Sequence, residues 1–144
     1  MSYRGAAGSR PAAGVIDAIE SADAVILAPS NPFVSIGPIL AVPGIRQALV
    51  ETRARVVAIT PIIAGRALKG PTDRMLGELG HEVSAVSVAR MYRDFVDLFV
   101  LDREDTALGP AIAELGIEVR AAATLMDSAP ARARLAQNIV EMLG

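Results

Sequence analysis

Residues 24–44 read AVILAPSNPFVSIGPILAVPG, and this stretch decides the fold. Its apolar run, Ala24–Ala28, stops at Pro29, where a polar pair and a second proline follow. The pattern predicts a buried parallel strand that opens into a rigid loop, with a helix starting near Ser35. Ligands of open α/β sheets bind beyond the carboxyl ends of the strands, so this loop is the first candidate for a binding site.

The rest of the chain alternates between short apolar segments and amphipathic segments. Strands are predicted at residues 24–28, 56–60, 95–101 and 119–124. Helices are predicted at residues 11–21, 45–52, 71–79, 106–115 and 129–143. Residues 83–92 allow a strand or a helix, and we favour an extended beginning followed by a helix.

This alternation is typical of βαβ units, which build parallel sheets. The predicted fold class is therefore α/β: a three-layer, Rossmann-like parallel sheet with helices on both faces. Residues 1–10 are interpreted as a flexible lead and residues 11–144 as the domain. Four strands form a small sheet for a domain of this type, so we expect another polypeptide to cover its edges.

Composition limits the classes of protein that the chain can represent. Its 144 residues suit one domain, and a hydrophobic content of 52% supports a full core. The net charge is −2, from 14 basic and 16 acidic residues, without the basic face of a nucleic-acid binder. No apolar run reaches the ~20 residues of a membrane span, and cysteine is absent. These features fit a cytoplasmic protein that binds neither nucleic acid nor membrane.

The first loop offers hydroxyl, amide and backbone groups to a ligand. Candidate contacts are Ser30, Asn31, Pro32, Ser35 and Ile36. Backbone N–H groups near residues 35–37 would point at an anion, because a helix N-terminus carries partial positive charge and unpaired donors. The alternative is that Ser30 and Asn31 only shape a turn, with Ser35 as the helix N-cap.

A second loop, residues 60–71, reads TPIIAGRALKGP and also follows a predicted strand. It should therefore leave the same edge of the sheet as the first loop. Arg66 and Lys69 are candidates to meet a diphosphate, and Gly70 permits close approach of the backbone to a ligand. The alternative is a surface loop whose basic residues face water.

Several familiar motifs of nucleotide and hydrolase chemistry are missing from the sequence. There is no Gly-x-Gly-x-x-Gly, no Walker A pattern and no Gly-x-Ser-x-Gly. No Asp-Asp or Asp-x-Asp pair follows a predicted strand, where a magnesium ion would be held. The sequence therefore assigns neither a metal ligand nor a catalytic residue to this chain.

Long motifs at both loops resemble those of the 2-phospho-L-lactate transferase family. The resemblance is carried by ADAVILAPSNPFVSIGPILAVPGI at residues 22–45 and by the second loop. VARMYRD at residues 88–94 and Thr-Leu-Met at residues 124–126 also fit. The resemblance covers the chain from residue 11 onward.

The resemblance implies phosphoryl transfer in the biosynthesis of the deazaflavin coenzyme F-420. A phospholactyl or phosphoenolpyruvyl group would pass from a GDP-linked donor to the deazaflavin alcohol Fo, with magnesium assisting. The loops at Ser30 and Lys69 would then hold the donor's phosphates or its guanosine.

The resemblance also implies that a part of the enzyme lies outside this chain. Members are longer, and the match is to their carboxyl-terminal half, whereas their amino-terminal half supplies the acidic residues that hold magnesium and the acceptor. A fragment, a truncated product and a split enzyme remain open, as does activity of the chain alone. The partner would be a second copy or a complementary amino-terminal polypeptide. A rival interpretation is a non-catalytic, nucleotide-binding or regulatory module of the same fold.

Overall fold

The fold was analysed in a computed structural model, which describes residues 2–67 and 70–144. Its strands are β1 (Ala24–Leu27), β2 (Arg55–Ile59), β3 (Ile62–Ile63), β4 (Arg66–Ala67), β5 (Leu98–Asp102) and β6 (Glu118–Ala122). Its α-helices are α1 (Val15–Ser21), α2 (Gly37–Leu40), α3 (Ile45–Glu51), α4 (Thr72–Glu78), α5 (Ala85–Tyr92), α6 (Gly109–Ala113) and α7 (Ala129–Leu143).

Four of the strands form one parallel sheet in the order β1-β2-β5-β6. The strands are therefore added in chain order toward one edge. Crossovers between parallel strands are right-handed, so this order directs successive crossover helices to the same face of the sheet. The predicted α/β class and Rossmann-like parallel sheet are confirmed.

The two faces of the sheet carry separate apolar clusters. On one face, Val56, Ala58 and Phe99 pack with buried residues of helices α3 to α6, and α1 packs against the same cluster. On the other face, Val57, Ile59, Leu98, Val100 and Ala122 pack with Leu135 and Ile139 of α7. Helix α7 is thus the helix that covers the second face, and helices lie on both faces as predicted.

Edge strand β1 is less completely covered than its neighbours. Alternate side chains of a strand point to opposite faces, and Val25 and Leu27 pack into the first cluster. Ile26 therefore points to the α7 face, where 47% of its surface is exposed. Central strand β5, in contrast, is buried along its whole length.

Local structure departs from the sequence-based expectations in several places. Strand β5 begins at Leu98 and not at residue 95, because residues 93–95 form a turn. The helix predicted at residues 106–115 divides into a 3-10 helix, Arg103–Leu108, and α6.

The helix predicted to start near Ser35 instead begins as one π-helical turn, Pro32–Ile36, that leads into α2. Residues 83 and 84 form a bend and not a strand, but Ser84, the N-cap of α5, has extended backbone angles, with φ −150° and ψ 159°. The second loop contains a small antiparallel hairpin, β3–β4, which the sequence analysis did not predict.

Two further features concern the ends of the chain and its helices. In the lead, residues 6–8 form a single 3-10 turn, while its flexibility stays a prediction. Among the described residues no single helix is long and apolar enough to span a membrane, although Pro32–Leu40 and Ile45–Glu51, bent by 82°, pass that test together.

Candidate functional site

Three loops at the carboxyl edge of the sheet line one cavity of about 600 Å³. The loop after β1 contributes residues 29–31, 34 and 35, and the loop after β6 contributes residues 125–127. The loop after β2 contributes Pro61, Gly70 and Pro71, and Thr72 follows as the first residue of α4. Ligand pockets of proteins typically have volumes of about 300–1,000 Å³. The two loops predicted from the sequence therefore meet, and a third joins them.

Asn31 organises the first loop. Its side-chain oxygen accepts hydrogen bonds from the N–H groups of Phe33 at 2.8 Å and Val34 at 3.1 Å. Pro32 follows at the first position of the turn, where its fixed φ suits a helical start and its missing N–H costs nothing. Asn31, not Ser35, is thus the N-cap, which corrects that alternative.

The backbone N–H groups of this turn are already paired. The N–H groups of Ser35 and Ile36 both donate to the carbonyl oxygen of Asn31 at 3.1 Å. That of Gly37 donates to the carbonyl oxygen of Pro32. The expectation that N–H groups near residues 35–37 point at an anion is therefore wrong, because a bound anion needs unpaired donors.

The first-loop candidates separate into two groups. Ser30, Asn31 and Ser35 line the cavity, whereas Pro32 and Ile36 do not. Pro32 is buried at the first position of the turn, and Ile36 packs against the first apolar cluster. Their contact with a ligand, expected from the sequence, is thus not supported by their positions.

Asn31 also links two walls of the cavity. Its side-chain nitrogen lies 3.6 Å from the sulfur of Met75 in α4, the helix that follows the second loop. The side chain therefore caps the first loop with its oxygen and contacts the second wall with its nitrogen.

Replacement of Asn31 by alanine should lower the free energy of unfolding by about 1 kcal/mol, since an N-cap contributes about 0.5–2 kcal/mol. Thermal unfolding and exchange of the Phe33 and Val34 amide protons measure the effect. Asn31→Asp is the matched control, because it keeps an acceptor oxygen at the cap. Equal loss in both variants would contradict a capping role.

The second loop is shaped by a tight turn. Ala64 and Gly65, between β3 and β4, both have positive φ, at 49° and 71°, as a two-residue hairpin turn requires. The N–H of Ala64 donates to the buried carboxylate of Asp105 at 3.0 Å. The hairpin carries Arg66 into a neighbouring cavity of about 440 Å³, which Leu125 also lines.

The second-loop candidates therefore divide as well. Gly70 lines the main cavity, as predicted. Arg66 is exposed and lines the neighbouring cavity rather than the main one, because the unpredicted hairpin turns it away. Lys69 lies outside the described residues, so its expected contact stays a prediction.

The third loop is held by Asp102 at the end of β5. One carboxylate oxygen of Asp102 accepts hydrogen bonds from the N–H and the hydroxyl of Thr124, both at 2.8 Å. The other accepts one from the N–H of Glu104 at 3.0 Å. Burial opposes ionisation of Asp102, but these hydrogen bonds outweigh it and keep the pKa of the carboxyl below its usual value.

Leu125, Met126 and Asp127 are the lining residues that the sequence analysis missed as site residues. Their position in the sequence could have marked them as site residues, because they follow the fourth predicted strand just as the first two loops follow their strands. Met126 was part of a motif that resembles the family, but no ligand contact was assigned to it. Asp127 is exposed and makes no hydrogen bond with another described residue through its side chain.

Tyr3 connects the lead to the outer side of the first loop. Its hydroxyl donates to the carbonyl oxygen of Phe33 at 2.6 Å. Gly37 makes room for it, because a Cβ there would lie 1.9 Å from that hydroxyl. Beside it, the Tyr92 hydroxyl is buried without a partner among the described residues, and burial raises the pKa of Tyr92.

Comparison with known proteins identifies the family. A family model described as 2-phospho-L-lactate transferase CofD matches residues 2–136. The chain belongs to this family. One relative, a phosphoenolpyruvate transferase of Nocardia farcinica, is 44% identical over 97% of this chain. A 2-phospho-L-lactate transferase of Methanosarcina acetivorans is 39% identical over 97% of it.

The chain spans less than half the length of these CofD-family relatives: 42% of the Nocardia protein and 45% of the Methanosarcina protein. Among solved structures, a Bacillus halodurans protein matches 91% of the chain and 47% of its own length, with a TM-score of 0.59 and 18% identity. That likeness shows the shared fold.

Proposed function

We propose that the chain forms the donor-side part of a transferase that moves a phospholactyl or phosphoenolpyruvyl group. The donor would be GDP-linked, and the acceptor would be the deazaflavin Fo in the biosynthesis of coenzyme F-420. One observation carries the proposal: a chain of the CofD family brings the loops that follow β1, β2 and β6 into one cavity of ligand size. The location proposed for this reaction is the cytoplasm.

The proposed reaction requires above all that the donor and the acceptor are aligned. The acceptor hydroxyl oxygen forms a new bond to phosphorus and loses its proton to water, the bond from that phosphorus to GMP breaks, and GMP leaves with the bonding electrons. Such transfers depend on alignment and on stabilisation of charge at oxygen. This chain's contribution is to hold the donor: the hydroxyls of Ser30 and Ser35 and the backbone at Gly70 line the cavity.

Magnesium does not fit the cavity as the described residues form it. The only carboxylate that lines it among them is that of Asp127, and the side-chain oxygen of Asn31 is already occupied by two N–H groups. The described residues contain no group of three side chains suited to hold a metal ion. We therefore derive no step through magnesium, whose ligands are proposed to lie on another polypeptide or segment.

The partner proposed for this chain docks at the β1 edge. Strand β1 has a neighbour on one side only, and Ile26 is exposed on the sparsely covered face. A complementary amino-terminal polypeptide or a second copy would bury this side chain and pair the free strand edge.

Calorimetry with GDP, followed by a transfer assay, tests the proposed function. We expect the chain to bind GDP weakly alone, and to support transfer to Fo only after the amino-terminal portion of the Nocardia farcinica relative is added. Tight binding of GDP without magnesium, and no transfer in the mixture, would favour the regulatory module instead. No binding in either condition would contradict both.

A further inference from the structure

Two half-exposed apolar side chains line the main cavity. Val34 from the first loop and Leu125 from the third are 51% and 50% exposed, and Pro29 and Pro61 supply further apolar wall. Large apolar side chains that line a cavity yet stay half-exposed gain free energy when a ligand covers them. The ligand group suited to such walls is a flat, uncharged ring rather than a phosphate.

The charges of the lining residues also favour an uncharged ring over a phosphate. None of the described lining residues is basic, and Asp127 is the one that carries a negative charge. A carboxylate repels a phosphate but accepts hydrogen bonds from N–H groups through two oxygens. The N–H groups of residues 33–37 in the first loop, as shown above, are already paired.

We propose that this cavity is the nucleobase compartment and that Asp127 selects guanine, an inference that rests on the proposed guanosine-linked donor. Guanine presents a ring N–H beside an exocyclic amino group, and these two parallel donors match the two oxygens of one carboxylate. Adenine places a ring acceptor at the corresponding position, which faces the carboxylate unfavourably. Val34 and Leu125 enclose the faces of the ring.

Asparagine at position 127 reverses part of this recognition. Its amide keeps one acceptor but replaces the other with an NH₂ donor, which meets the exocyclic amino group of guanine donor to donor. Xanthine carries a carbonyl oxygen where guanine carries that amino group. Asp127→Asn should therefore weaken binding of GDP and strengthen binding of xanthosine diphosphate.

Calorimetry with GDP, inosine diphosphate, xanthosine diphosphate and ADP tests the assignment. The unmodified chain should bind GDP about 10-fold more tightly than inosine diphosphate, which lacks the amino group, and more tightly still than ADP. In Asp127→Asn, affinity for GDP should fall about 10- to 100-fold, and xanthosine diphosphate should become the preferred ligand.

Asp23→Asn is the matched control, because Asp23 is exposed and lies at the amino end of β1, whereas the cavity lies at the carboxyl ends of the strands. It should leave all four affinities unchanged. If GDP binds but Asp127→Asn leaves the ratio of GDP to xanthosine diphosphate unchanged, the assignment of Asp127 is wrong while the proposed function survives. If no nucleoside diphosphate binds the unmodified chain, the proposed function itself fails.

Discussion

Asp102→Ala should lower the free energy of unfolding by about 3 kcal/mol, with a fall in melting temperature of roughly 10 °C. The variant removes the acceptor of three hydrogen bonds and leaves the N–H and hydroxyl of Thr124 buried without their partner. Thr124 is fully buried, so water cannot replace the carboxylate in the native state. Urea denaturation measures the change.

Asp102→Asn should lose nearly as much, because the new NH₂ group faces N–H donors. Asp23→Ala, at an exposed site, should change the free energy of unfolding by less than about 0.5 kcal/mol. Nucleotide affinity should also fall in Asp102→Ala, since Asp102 holds the third loop. An Asp102→Ala variant as stable as the unmodified chain would show that this carboxylate does not hold the loop.

The same carboxylate predicts a dependence of stability on pH. The pKa of Asp102 is lower in the folded chain than its unfolded value of about 3.9, so the ionised form favours folding. Its contribution is complete above that value and is lost as pH falls through the folded pKa. Asp102→Asn should therefore lose less stability between about pH 6 and about pH 3 than the unmodified chain does. Equal losses would contradict this.

Leu135→Ala should lower the free energy of unfolding by about 3 kcal/mol. Leu135 is 3% exposed and packs α7 against the second face of the sheet, where α7 is the covering helix. Truncation leaves a cavity over the sheet that neighbouring helices cannot fill, because the crossover helices pack on the opposite face. Urea denaturation and far-UV circular dichroism report the loss.

Val140→Ala is the control for this prediction. Val140 lies on the same helix but is 63% exposed, so its truncation should change the free energy of unfolding by less than about 0.5 kcal/mol. Equal effects of the two substitutions would mean that α7 does not dock through Leu135.

The sequence predicted the sheet well, because its strands are short apolar runs bounded by proline, glycine or acidic residues. Val56 to Ile59 and Leu98 to Leu101 stand out in the sequence because a central strand of a parallel sheet is buried on both faces. From the shared direction of the strands, the sequence also predicted that the first two loops leave one edge. Gly70, Ser30 and Asn31 meet in the cavity for that reason.

Details that depend on tertiary contacts could not be predicted in this way. The turn at residues 32–36 depends on which backbone N–H groups the Asn31 side chain caps. A proline-rich segment is compatible with several ways of beginning a helix, so its sequence does not select this one. The hairpin around Ala64 depends on the buried carboxylate of Asp105, 41 residues away, which accepts its N–H. The third loop carries no glycine or basic residue to mark it, so the one signal in its sequence was that it follows the fourth predicted strand.

An NMR titration of the ¹⁵N-labelled chain with GDP tests the central claim most directly. If the three loops form one nucleotide site, amide signals of Ser30, Gly70 and Asp127 should shift together along one saturable curve. The signal of Asp23, at the opposite edge of the sheet, should stay in place. Saturable shifts confined to the opposite edge, or none at ligand concentrations well above those of the chain, would contradict the claim.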